Sequence, residues 1–145
     1  MAKAILEKMV EENGLADLIQ VDSAGTWALD GNPPAENSEE VCLENDLYIS
    51  EHRSKHVTSQ LMDSADLVLC MEPHHKRDLL SIFPQYASKV FTLREFGRPD
   101  EIDTNGIPDP IGRRISAYRK TFKLLTEEIE RIFPLIKQMA LESRG

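Results

Sequence analysis

At 145 residues, with 41% hydrophobic and 29% charged side chains, the chain suits one globular domain with one core. A net charge of −8 at pH 7 argues against polyanionic partners, so neither nucleic acid nor an anionic membrane surface is expected to bind. No apolar run is long enough to span a bilayer, and Cys42 and Cys70 have neither metal-like nor disulfide-like spacing, which fits a reducing cytoplasm.

The opening "MAKAILEKMVEENG" sets Ile5, Leu6, Met9 and Val10 at helical spacing and supplies Asn13-Gly14 as a stop, so it reads as an amphipathic helix and not a signal peptide. "LIQVDSAGT" predicts a strand running into a polar turn. Asn32-Pro33-Pro34 opens a second helix with Val41, Cys42 and Leu43 inward. "TSQLMDSA" predicts one or two helical turns capped by Thr58, and the apolar run "DLVLCM" predicts a strand buried on both faces. Pro73 starts a further helix that ends near Pro84, and adjacent His74 and His75 are expected to point in different directions on it. "KVFTL" predicts another strand, followed by a polar loop from Arg94 to Gly106. The last helix begins near Arg113 and turns Ile115, Phe122, Leu125, Ile129 and Ile132 inward; Pro134 should kink or interrupt it. Tyr118 is expected on its exposed or semi-exposed side, as a surface aromatic or a phosphorylation site. Strands alternating with helices imply an α/β fold with a parallel sheet, and the working site of such a sheet lies beyond the C-terminal strand ends. That rule gathers Ser23 to Thr26, Met71-Glu72 and the loop before Asp109.

Asp109 is the sharpest feature. In "IPDP" the flanking prolines restrict its backbone, and Pro110 biases it away from helical geometry. Two readings stand: a helix N-cap, or a proton donor whose geometry must be fixed before its pKa matters.

The ordered set "VDSAGT", "GNPP", "ISEHRSKHVT", "DLVLCMEPHHKRDL", "KVFTLREF" and "DPIG" resembles the low-molecular-weight protein tyrosine phosphatase family, including its bacterial protein-arginine-phosphatase branch. The likeness runs over nearly all of residues 1–145, as a single phosphatase-type domain. It implies a three-layer α/β/α fold and a phosphoprotein phosphatase acting through a cysteinyl-phosphate. In that chemistry a cysteine in a C-x5-R loop attacks phosphorus. The resemblance makes Asp109 the general acid and later the base, Ser23 and His52 supports of the phosphate loop, and Ile111 a substrate contact. Family members that cleave phosphotyrosine usually carry aromatic residues where Ile111 and Gly112 stand. No cofactor or metal is implied, since cysteine and aspartate suffice and no His/Asp/Glu group has ligand spacing. The implied partner is a phosphorylated protein or small phosphate monoester; oligomerisation stays open.

The family's C-x5-R loop and first strand precede the segment that "MAKAILEK" matches. The expectation is therefore an N-terminally truncated domain whose Met1 is internal to a longer chain. Neither cysteine stands in, because the residue six positions after Cys42 is Tyr48 and after Cys70 is Lys76. Without the first strand, "LIQVDS" and "LVLCM" must pair directly, borrow a strand from another copy or leave ladder groups unpaired. Residues 1–145 alone are expected to be inactive. The rival readings are a non-catalytic pseudophosphatase or partner-binding module and, behind it, an arsenate reductase, for which Cys70 lacks the further cysteines.

Overall fold

The computed structural model describes residues 1–26, 29–98 and 106–144. Most of the predicted polar loop, residues 99–105, lies outside them. Chain contacts divide the protein into two compact units, one of residues 1–23, 33–53 and 109–145 and the other of residues 24–32 and 54–108.

The first unit is helical. Helix α1 (Ala2–Glu12) buries Ile5 and Val10, as its spacing requires, and Gly14 just beyond it adopts φ +68°, a conformation glycine takes without steric cost. Helix α2 (Glu36–Glu44) buries Val41 and Cys42, but Leu43 is 48% exposed. Leu43, expected inward with its two neighbours, faces out because consecutive helix positions turn by about 100° and three in a row cannot share a face. Helix α5 (Ile115–Arg144) runs unbroken through Pro134 and packs on α1 and α2. The proline is exposed, while Ile132, Phe133 and Ile136 around it are buried. Each such side chain contributes about 1.5–3 kcal/mol. Together they outweigh the roughly 3 kcal/mol that an internal proline costs. Tyr118 is 3% exposed, so it belongs to the core and is no surface aromatic or accessible phosphorylation site.

The predicted strand at Leu18–Ser23 does not form. Leu18, Ile19 and Val21 pack against the cluster of Val10, Leu15 and Phe133, yet no ladder runs along this backbone. The apolar pattern that suggested a strand is satisfied by helix packing. A strand also needs a neighbour, and none among the described residues pairs with it.

The second unit carries the sheet. Thr58 caps α3 (Ser59–Ser64) by accepting the Leu61 amide at 3.2 Å. Strand β1 (Val68–Cys70) pairs in parallel with β2 (Val90–Thr92), registering Val68 with Val90 and Cys70 with Thr92. Helix α4 (Pro73–Ile82) and a 3-10 turn (Pro84–Lys89) connect them, a strand–helix–strand crossover. Met62, Cys70, Leu79 and Val90 form the core of this unit. Val68 and Leu69 are only half-buried, so β1 is not enclosed on both faces: the elements packed on the sheet leave part of these two side chains uncovered. The expected class, α/β with a parallel sheet, is the one observed. No helix among the described residues is long and apolar enough to cross a membrane.

Candidate active site

Asp109 does not cap α5, which begins only at Ile115. Its Oδ1 accepts the Ile111 amide at 3.0 Å, closing a side-chain turn over Pro110. The Arg113 amide then donates to the Pro110 carbonyl at 2.9 Å, and Gly112 sits at φ +77°, where a Cβ would be strained. Asn37 of α2 donates to the Arg113 carbonyl at 3.4 Å. The residue is exposed, and among the described residues no hydrogen bond or ion pair engages the second carboxylate oxygen. "DPIG" therefore builds a short rigid mount with one oxygen anchored and one facing water. Ile111, 70% exposed, stands beside it.

Ser23 and His52 belong to the surroundings of the α1 N-terminus. Ser23 is half-buried, its amide donating to Asp22 Oδ1 at 2.9 Å, and Asp22 lies 3.9 Å from Lys3. His52 is half-buried and holds its backbone in a turn by donating to the Ile49 carbonyl at 2.9 Å. Burial lowers its pKa below the usual imidazole value. The positive Lys3 pushes the same way, against Asp22 and Glu7. A neutral imidazole at pH 7 follows. No hydrogen bond or ion pair joins Asp109 to Ser23 or His52.

Both cysteines are buried and reduced. Burial raises the Cys70 pKa to about 11, against the pull of Lys76 and with the push of Glu95. Burial also raises the pKa of Cys42, which is 0% exposed. A thiol that high and that enclosed is neither nucleophile nor metal ligand at neutral pH. The folded chain at pH 7 is expected to leave both thiols unreacted with a disulfide reagent over the time in which the unfolded chain reacts fully. Rapid labelling of either in the folded state would contradict this.

Sequence spacing missed two features. His74 and His75 do not diverge: their ring centroids lie 4.2 Å apart, and with Glu72 they bring their ligand atoms within 4.8 Å of one another. The signal was Glu-Pro-His-His, which puts a carboxylate at the N-cap of a proline-started helix and two imidazoles in its first turn. Gly106 lies so close that an added Cβ would meet the Glu72 Cα at 2.6 Å and the Met71 carbonyl oxygen at 2.7 Å. Only glycine fits, and the adjacent Ile107 amide binds that same carbonyl at 2.8 Å.

A family description, low molecular weight phosphotyrosine protein phosphatase, matches residues 1–143. The chain is 33% identical over 138 residues to the protein-arginine-phosphatase of Bacillus subtilis, covering 95% of this chain and 88% of that protein. Among solved structures, the low molecular weight protein tyrosine phosphatase from T. tengcongensis is similar at a TM-score of 0.84 and 33% identity, over 92% of this chain and 87% of that one. A cysteine-to-serine mutant of the YwlE arginine phosphatase, solved with a phosphorylated active site serine, has a TM-score of 0.86 and 32% identity, over 94% and 86%.

Proposed function

Since the chain belongs to the low molecular weight phosphotyrosine protein phosphatase family, we propose that it carries the acid–base half of a phosphoprotein phosphatase, with Asp109 as the proton carrier. One observation bears the reading: Asp109 is an exposed residue whose carboxylate is anchored through Oδ1 to the Ile111 amide, with no described residue bound to its other oxygen. An acid that must protonate a leaving group needs a fixed root and a free oxygen.

In the first step a thiolate attacks phosphorus, the bond from phosphorus to the substrate oxygen or nitrogen breaks, and Asp109 gives its proton to that departing atom. In the second, water attacks phosphorus, the phosphorus–sulfur bond breaks, and the Asp109 carboxylate takes the water proton. The relative solved with a phosphorylated serine in place of its cysteine supports a covalent phosphoenzyme of this kind. The substrate is a phosphorylated protein side chain, arginine or tyrosine. Ile111 contacts it, and Ser23 and His52 brace the phosphate loop. One family match through residues 1–143 supports reading 1–145 as a single phosphatase-type domain.

The nucleophile is not within residues 1–145. Neither Cys42 nor Cys70 is followed by arginine at the sixth position, and burial holds both as thiols. Residues 1–145 alone should leave p-nitrophenyl phosphate intact, whereas a chimera with a C-x5-R strand and loop joined ahead of Met1 should hydrolyse it. A folded chimera without turnover would sink the phosphatase reading and favour a non-catalytic binding module. Turnover by residues 1–145 alone would sink the assignment of the nucleophile.

A further inference from the structure

We propose that Glu72, His74 and His75 form a binding site for a divalent transition-metal ion, with Zn2+ the cation that the donors fit. The site is independent of the phosphatase reading. It lies where α4 begins: Glu72 is the N-cap, Pro73 opens the helix, and both histidines fall in the first turn. The Glu72 carbonyl accepts the His75 amide at 3.1 Å and the Lys76 amide at 3.4 Å, so one helical turn roots all three donors.

The donor atoms lie within 4.8 Å of one another, and His74 Nδ1 is 3.7 Å from Glu72 Oε2. Tetrahedral zinc with bonds of about 2.0–2.2 Å holds its donors roughly 3.4 Å apart. Small side-chain rotations close that gap, and they are open to these groups. His74 and Glu72 keep 48% and 27% of their side-chain surface exposed, which also gives an ion a way in. The two imidazoles are borderline donors, and with them in the majority beside one hard carboxylate the set suits Zn2+, Ni2+ or Cu2+ and not Mg2+ or Ca2+. Three protein donors leave a fourth position for water.

The surroundings favour occupancy in two ways. Lys76, the nearest basic residue in the sequence, has its ammonium paired with Glu95, so that charge is already neutralised. The Glu72 backbone cannot drift, because Gly106 is packed against its Cα and would tolerate no Cβ. One effect opposes a cation: the positive end of the α4 dipole. The Glu72 carboxylate sits at that end and offsets it.

The test is calorimetric titration of the 145-residue chain with ZnCl2, with Glu72→Gln, His74→Ala, His75→Ala and His56→Ala alongside. Uptake of a single equivalent is expected. Each change within the cluster should weaken it by at least about 10–100-fold, the loss that outer-shell partners alone produce. His56→Ala, outside the cluster, should bind as the parent does. Circular dichroism checks folding of each variant. If one fails to fold, Cu2+ broadening of imidazole proton signals in the unmodified chain decides, with His74 and His75 broadened and His52 and His56 sharp. No uptake of Zn2+, or unchanged affinity in a folded His74→Ala/His75→Ala double variant, overturns the proposal. So does broadening centred on His52 or His56.

Discussion

Asp109→Asn, in the chimera supplied with a C-x5-R loop, is expected to lower kcat by roughly 10²–10⁴-fold, the contribution of a positioned general acid or base. Asparagine keeps the oxygen that accepts the Ile111 amide, so the turn with Arg113 bound to Pro110 should survive. What disappears is the transferable proton. The loss should be smaller for p-nitrophenyl phosphate, whose leaving group departs as a stable anion, than for phenyl phosphate, whose leaving group needs protonation. Steady-state kinetics with both esters checks this. An equal loss with both, or none with either, would show that Asp109 only shapes its loop. A companion change, Gly112→Ala, forces a side chain onto φ +77° and disturbs the mount without removing the acid.

Ile132→Ala is expected to reduce unfolding stability by about 2–5 kcal/mol. Ile132 is 0% exposed and lies on the inward stripe of α5 with Ile129 and Ile136. Truncation leaves a cavity that the surrounding helices fill only in part. Against a total of about 5–15 kcal/mol for an ordinary domain, that is a large fraction. Denaturant titration measures it, with Leu135→Ala as the partner experiment. Leu135 is 37% exposed, and its truncation should cost no more than about 0.5 kcal/mol. Similar losses for both would mean that α5 is not held by the stripe described above.

The helices were legible because their signals are local. Thr58 as a cap, Pro73 as a first-turn residue and Gly14 as a stop act through neighbours in sequence, and all three appear as expected. Readings that needed a partner elsewhere in the chain fared worse. Leu18–Ser23 has the composition of a strand but finds no ladder among the described residues, since pairing is a property of two segments. The sequence places Tyr118 on the exposed or semi-exposed side of its helix, whereas the packed helix shows it among the core residues. The pairing of His74 with His75 arises in the first helical turn, where the N-cap Glu72 brings its carboxylate within 4.8 Å of both imidazole donors. Of the acid, the sequence disclosed the mounting prolines and left open whether the carboxylate serves a helix. The hydrogen bond to Ile111 answers that on the side of a free-standing turn.

The brevity of β1 has a consequence for how the protein behaves when concentrated. Among the described residues β1 has a ladder partner on one side only, and in the 145-residue chain its remaining peptide groups are a template for stacking. With just Val68, Leu69 and Cys70 in the strand, an incoming chain would gain too few bonds to repay the ordering of its own backbone. The same shortness that leaves the sheet thin thus guards it against fibril-like growth.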